Sequence, residues 1–407
     1  MQLDLLAIGL QILLGILCIL LLILLVNLCT FHRLRDKSTP FPIISPPGRT
    51  QGDAPTSFPM PVLSILVPAR NEEQCIEDCI HSLVMQDYEQ LEVLVLDDQS
   101  TDATATIVER IIAELPELQK GRLRLLHGEI LPQGWVGKNF ACQQLAQHAN
   151  GRYLLFTDAD TVHQPGMARA VIDYMQQLNI QLLTAQPEHI MKSPGERLVV
   201  PLLNFTILTL LPVALILKRP EPNLATGNGQ LLCFERQAYE KIGGHAGVKG
   251  RILEDVLLAR ATKAAGLRMA FVDAQELVRC RMYRSFAEVW AGFSKNLFAL
   301  YNYSLPFALC ALALNLILFV LPLALILVAP FTTLSSTRLL LALCAYLLPA
   351  VMRILLTLRF IHSQKWQMLL FCLLHPISIL LQCLILLNSI RWHYRKVGVR
   401  WKGRYYA

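Results

Sequence analysis

From position 5 to position 31 the chain carries no charged residue, a run about long enough to cross a ~30 Å hydrocarbon core as one helix. Beyond position 61 the pattern changes to short apolar runs separated by longer mixed segments. Strands are expected at 62–67, 91–96, 123–126 and 153–157, with helices at 72–85, 102–114 and 138–149. Strands alternating with helices predict an α/β fold, a mostly parallel sheet covered by helices, whose ligands bind beyond the strands' carboxyl ends. Three more apolar stretches follow at 306–330, 338–358 and 366–390. The nineteen uncharged residues 199–217 also resemble a span. A crossing there would put the acidic positions before it and after it on opposite sides, so this run is expected to lie buried or in the membrane interface.

This layout predicts an N-terminal transmembrane anchor (1–31), a basic and Pro-rich linker (32–60) and an α/β domain (61–284). An interfacial amphipathic helix (285–304), C-terminal transmembrane segments (305–391) and a basic tail (392–407) complete it. Pro40, Pro42, Pro46, Pro47, Pro55 and Pro59 leave the linker little to bury, so it reads as an extended tether. A cleaved signal peptide would need a basic start, and residues 1–4 carry no positive charge.

Composition sharpens the membrane reading. Of 407 residues, 54% are hydrophobic and only 16% charged, against about 25% charged in ordinary soluble domains. The net charge of +7 sits beside apolar runs: Arg33, Arg35 and Lys37 after the first, and Arg391, Arg395, Lys396, Arg400, Lys402 and Arg404 after the last. Such flanks mark the cytoplasmic side of an inner or cell membrane, and they argue against a nucleic-acid groove. A cytoplasmic domain followed by three C-terminal crossings would leave the basic tail outside, whereas two crossings keep it inside. Arg353 interrupts the middle run, while His375 and Pro376 interrupt the last, so one segment is expected to be re-entrant or interfacial and the tail cytoplasmic. The eleven cysteines show no framework spacing and read as structural thiols of a reducing compartment.

The chemistry gathers at the predicted strand ends. Pro68, Arg70, Asn71, Glu72 and Glu73 follow the first strand, Asp97, Asp98 and Asp102 the second, and Asp158 and Asp160 the strand at 153–157. Glu254 and Asp255 stand at a later helix start. Any one of these could be a helix cap or a solvated turn. Together, carboxylates meeting in one crevice repel unless a cation lies among them. Asp158 and Asp160 suit Mg2+ or Mn2+, hard ions that prefer oxygen ligands and bridge substrate phosphates. Glu254 and Asp255 would supply a carboxylate able to take a proton from an attacking hydroxyl. Residues 134–139 have two rather than four residues between the glycines, and Asn139 replaces the Ser/Thr of a P-loop, so a nucleotide kinase is not expected. Lys138 is read either as a helix-start lysine or as a group approaching donor phosphates.

In this order and spacing, the acidic series resembles the family 2 glycosyltransferases of GT-A fold over about 62–300. Residues 134–139, 226–229, 281–284 and 292–296 are similar to the membrane-bound branch of carotenoid, hopanoid-associated and ceramide glucosyltransferases. The resemblance implies a nucleotide-sugar donor, with a UDP-sugar as the default, and a lipid-like acceptor such as a carotenoid. It implies that Glu72 and Asp97 or Asp98 contact base and ribose, with Pro68, Arg70 and Lys138 also at the donor. Asp158 and Asp160 would hold metal and diphosphate, Asp255 would be the base, and the anomeric configuration would invert. Gly227, Asn228, Gly229, Arg281, Arg284, Trp290 and Lys295 are candidates for the donor or acceptor pocket. Processive members carry a QxxRW motif; here Asn388 holds the Gln position before Arg391 and Trp392, which favours single transfer over polymer synthesis. A transporter would concentrate charges inside the apolar runs, where only Arg353 and His375 stand out.

Overall fold

The computed structural model describes residues 4–35, 62–361, 365–395, 399–401 and 404–406. The linker prolines and Lys37, Lys396 and Lys402 lie outside the described residues. Tertiary contacts divide the chain into two compact units. One comprises His32–Pro187 and Pro220–Cys280; the other comprises Met1–Phe31, Glu188–Arg219 and Arg281–Ala407.

The first unit is α/β. Its strands are β1 (Leu63–Ala69), β2 (Leu91–Asp97), β3 (Leu123–His127), β4 (Tyr153–Phe156), β5 (Thr161–His163) and β6 (Leu182–Gln186), then β8 (Leu232–Glu235), β9 (Met269–Asp273) and β10 (Val278–Cys280); the two-residue β7 (Glu188–His189) belongs to the helical unit. Seven of them form one sheet in the order β3-β2-β1-β4-β8-β6-β9. All neighbours run parallel except β8, which is antiparallel to both β4 and β6. Leu63, Ile65, Leu66 and Val67 are fully buried. Burial on both faces explains why β1 reads as a continuous apolar run rather than an alternating one.

Register determines what meets at the working edge. Ala69 pairs with Asp97 and Leu66 with Phe156, so the segments leaving β1, β2 and β4 emerge side by side. Because β8 runs the other way, Phe156 pairs with its first residue, Leu232. The loop entering β8 therefore arrives at the edge that the other strands leave. At the far side of the sheet, the Leu34 amide donates to the Asp273 carbonyl (2.7 Å) and the Asp273 amide to the His32 carbonyl (2.8 Å). Arg33 adds an ion pair to the fully buried Asp273 at 3.3 Å. A residue read as a membrane-flank charge is thus tied into the sheet.

The second unit is helical. Three of its helices, Leu5–Thr30, Leu305–Phe331 and Ser336–Phe360, are long and apolar enough to cross a membrane. Lys365–Leu373 and His375–Arg395 form a pair bent by 77°. Helices Leu5–Thr30 and Ser336–Phe360 run parallel. Asp4 pairs with Arg338 at their starts (3.0 Å), and the rings of Phe31 and Phe360 meet at their ends, 5.9 Å apart. His393, near the end of the bent pair, stacks on Tyr303 just before Leu305, with ring centroids 4.6 Å apart.

The apolar run 199–217 does not form a span. It breaks into the short helices Pro201–Leu210 and Ala214–Lys218. Asn27, buried in the first helix, donates through Nδ2 to the carbonyls of Leu208 (2.7 Å) and Leu211 (2.8 Å) and accepts the Val213 amide at 3.0 Å. Backbone groups freed by a helix break in apolar surroundings need such partners. Asn27 supplies three at once.

Candidate active site

The loops leaving β1 and β2 are laced together. Asn71 and Gln99 adopt left-handed backbone conformations, with φ of 51° and 57°. The Asn71 amide donates to Ser100 Oγ (2.9 Å) and its Oδ1 accepts the Thr101 amide (2.8 Å). Arg70 donates to the carbonyls of Asp98 and Gln99, so its guanidinium holds the β2 loop. Asp97 accepts the Ser100 amide at 3.3 Å, and both Asp97 and Asp98 are buried. Glu72 donates its amide to Thr104 Oγ1 (2.8 Å) and accepts the Cys75 thiol through Oε2 (3.2 Å). Pro68 lies within β1, opposite Leu96.

The adjoining charges form a cluster. Lys138, one residue into helix Gly137–His148, places its ammonium 2.6 Å from Asp158 Oδ1 and 3.0 Å from Glu254 Oε1. Burial pulls the lysine pKa down, but the two carboxylates override it and hold it well above the ordinary value. The loop before β8 closes against this trio. A Cβ at Gly229 would stand 2.8 Å from the Lys138 ammonium, and one at Gly227 would fall 2.3 Å from the Asp255 carbonyl oxygen. The clash at Gly227 is with backbone, so glycine is required there, whereas a side chain at Gly229 would push the lysine ammonium from its place. Asn228 between them is fixed by Thr184 Oγ1 (2.9 Å) and Gln186 Oε1 (3.2 Å).

Asp255 opens helix Glu254–Ala264 and accepts the Gly229 amide through Oδ2 at 3.1 Å. Burial, followed by the neighbouring Glu254 charge, pushes its pKa up to about 7. Asp160 is also raised to about 7, by burial first and then by the charges of Asp158 and Glu72. Its Oδ1 is buried with no hydrogen-bond partner. Among the described residues, no group of three or more His, Cys, Asp or Glu side chains stands close enough to hold a metal ion by itself. The donor set nevertheless suits a hard divalent cation. It is all oxygen, one buried oxygen is unpartnered, and a cationic group already lies between Asp158 and Glu254.

Sequence reasoning missed the scaffold beneath these groups. Thr161 Oγ1 donates to the Asp158 carbonyl (2.7 Å) and Thr157 Oγ1 to the Gln230 carbonyl (2.8 Å), so the acidic turn and the glycine loop share one support. His163 Nε2 lies 2.9 Å from Thr161 Oγ1, and burial lowers its pKa to about 3, keeping the ring neutral. Cys280 lies near enough to Asp160 to lower its pKa, and its sulfur accepts from Gln230 Nε2 at 3.0 Å. Asn139 Nδ2 donates to the carbonyls of Val248 (2.8 Å) and Arg251 (2.9 Å), which steadies the approach to Glu254. Asn139 directly follows Lys138, the nearest thing to a sequence signal for that role.

The structure thus gathers Lys138, Asp158, Asp160, Glu254, Asp255, Gly227 and Gly229 in one unit, with Glu72 close enough to act on Asp160. Arg281, Arg284, Trp290 and Lys295 belong to the helical unit. There Arg281 pairs with buried Glu196 at 3.6 Å, and the Arg284 amide donates to Glu288 at 2.8 Å. Trp290 lies edge-on to Phe286 within helix Phe286–Leu300, which buries Val289, Phe293 and Leu297 on one face and also carries Lys295.

Residues 64–243 match the family model described as Glycosyl transferase family 2. The 4,4'-diaponeurosporenoate glycosyltransferase of Staphylococcus haemolyticus (strain JCSC1435) is 26% identical over 238 residues, 58% of this chain and 60% of that relative. That of Staphylococcus aureus (strain MRSA252) is 25% identical over 358 residues, 86% of this chain and 90% of the relative. The solved mannosyltransferase PcManGT from Pyrobaculum calidifontis, in complex with GDP-Man and Mn2+, is 20% identical and covers 80% of this chain and 87% of its own, with a TM-score of 0.49.

Proposed function

We propose, from the match of residues 64–243 to the family 2 glycosyltransferases, that the chain moves one sugar from a nucleoside diphosphate donor to a lipid-like acceptor, with inversion at the anomeric carbon. The single observation that carries this reading is the Lys138 ammonium held between Asp158 and Glu254 with Gly229 pressed against it. Lys138 places one ammonium group among these carboxylates, where a departing diphosphate must be neutralised. A UDP-sugar is the donor to test first.

In the proposed reaction the acceptor oxygen forms a bond to the sugar C1 while the C1–phosphate oxygen bond breaks. Glu72, Asp97 and Asp98 line the nucleotide end, on a loop that Arg70 holds in shape. Asp158 and Asp160 would hold Mg2+ or Mn2+, which when bound helps neutralise the diphosphate. Lys138 adds its own positive charge beside them. Asp255 takes the proton of a hydroxyl acceptor, since a carboxylate near pKa 7 can be ionised and still basic at neutral pH. The Staphylococcus relatives are named for a carboxylate, diaponeurosporenoate, and a carboxylate nucleophile arrives without a proton. Asp255→Asn separates the two acceptors: it cripples transfer to a hydroxyl and spares transfer to a carboxylate.

The helical unit supports a membrane setting with α/β domain and tail on the cytoplasmic side. Helices Leu5–Thr30 and Ser336–Phe360 are parallel, so both end on the side where the chain departs toward His32. The stack of His393 on Tyr303 returns the bent pair to the side where helix Leu305–Phe331 begins. Three crossings and one re-entrant hairpin satisfy the positive-inside rule. Asn388 donates to Ser294 Oγ at 2.9 Å, a packing role that favours single transfer over polymer synthesis.

The test is direct. Full-length protein in lipid nanodiscs, given labelled nucleotide sugars and membrane lipid extract, should yield a monoglycosylated lipid by mass spectrometry, and Asp158→Asn should abolish it. Formation of long polymer, or equal product from the Asp158→Asn protein, would sink the reading.

A further inference from the structure

Thr157, Thr161 and His163 form a buried triangle beneath the acidic turn. The two threonine hydroxyls lie 3.0 Å apart, and His163 Nε2 lies 3.1 Å from Thr157 Oγ1 and 2.9 Å from Thr161 Oγ1. Each hydroxyl also faces a backbone carbonyl: Thr161 that of Asp158 at 2.7 Å, and Thr157 that of Gln230 at 2.8 Å. A carbonyl only accepts, and a hydroxyl has one proton to give. Both hydroxyl protons are therefore spent on the carbonyls, and both oxygens turn lone pairs toward the ring. A bare Nε2 would set a third lone pair against those two. The Cys79 thiol, 4.0 Å from Thr161 Oγ1, is too distant and too weak a donor to answer them. Nε2 must carry the ring proton, which leaves Nδ1, buried without a partner, as the bare nitrogen.

The two carbonyls belong to different parts of the site. Asp158 carries the carboxylate that meets Lys138 at 2.6 Å. Gln230 directly follows Gly229, whose amide donates to Asp255 at 3.1 Å. The Gln230 side chain is tied separately to Cys280 Sγ at 3.0 Å, and Cys280 lies opposite Thr161 in the β5–β10 pair. We infer that His163, as the Nε2–H tautomer, is a positioning residue that fixes the Asp158 turn against the Gly229 loop. By donating to both threonine oxygens it directs their protons outward to the two carbonyls. Without that donor the hydroxyls, 3.0 Å apart, satisfy each other and one carbonyl is released. A diphosphate bound beside Lys138 and Asp158 then loses its preset surroundings. That consequence rests on the transfer reading above; the tautomer does not.

The test uses full-length protein in lipid nanodiscs, with the histidine ring nitrogens isotopically labelled for magnetic resonance. The ring signal that disappears in His163→Gln should report a protonated Nε2 and a bare Nδ1. A protonated Nδ1 overturns the inference whether or not any variant folds. Calorimetric titration with UDP in the presence of Mn2+ reads the consequence. His163→Phe should weaken UDP binding about tenfold, the order expected when buried groups lose a partner. His163→Gln, which returns an N–H at similar reach, should recover most of it. Thr161→Val should weaken binding to a similar degree, and the His163→Phe, Thr161→Val double variant should lose no more than Thr161→Val alone, a coupling that general loosening does not produce. Undiminished UDP affinity in His163→Phe, or additive losses in the double variant, overturns the positioning role. An unaltered protein that binds neither UDP nor GDP yet shows the Nε2–H ring counts against the transfer reading and leaves the assignment of His163 standing.

Discussion

The two units treat buried charge in opposite ways. In the α/β unit, Asp158, Asp160, Glu254 and Asp255 crowd together, and Lys138 inserts a positive group between two of them. In the helical unit, Arg353 stands among apolar helices with only a hydroxyl and a carbonyl for company. The first arrangement carries its own neutraliser and can persist between catalytic cycles. The second answers a charge with neutral acceptors alone. Internal ion pairing preserves a shape for chemistry, whereas a buried charge held by neutral acceptors fixes how helices pack.

The sharpest break with this picture would come from the proposed base. With a hydroxyl acceptor, Asp255→Asn should lower kcat by roughly 10²–10⁴-fold, with donor KM nearly unchanged; steady-state assays at saturating donor check it. Next in size is the internal neutraliser. Lys138→Met should destabilise the α/β unit by about 1–3 kcal/mol in chelator, and millimolar Mn2+ should recover much of that loss in a thermal melt. No recovery would mean that the carboxylates do not converge on a cation.

The acidity of the cluster sharpens the comparison further. Asp255 works as a base only when deprotonated, and its pKa is raised to about 7. The rate should therefore climb as pH rises through about 7 and level off above it, dropping about tenfold per pH unit on the acid side; kcat/KM between pH 5.5 and 8.5 tests the sign. The smallest effect is expected at Ser378→Ala, about 0.5–1.5 kcal/mol in detergent melts. The serine satisfies one N–H of Arg353 and leaves its charge as it was.

Much of this was legible in the chain. Expected strands and helices correspond to β1 through β4 and their intervening helices within a few residues, because strands buried on both faces leave unmistakable apolar runs. The acidic positions were visible because they follow those runs directly. Four features were not. Gly229 reaches the cluster only because β8 is antiparallel, and strand direction leaves no local mark. Arg70 has the chemistry of a phosphate ligand, yet backbone carbonyls claim it. Cys280 meets Asp160 across 120 positions of sequence (280 against 160). Asn27 looked like an incidental polar residue in an anchor, since its three partners lie about 180 residues away.

That asparagine makes the leading helix more than a hydrophobic peg. A generic membrane leader of equal length would still deliver the chain to the bilayer, but it would leave the kink at 211–213 with nothing to answer its amide and carbonyls. Chimeras that exchange residues 5–30 should therefore insert normally yet assemble poorly, and returning one asparagine at the matching depth should rescue them.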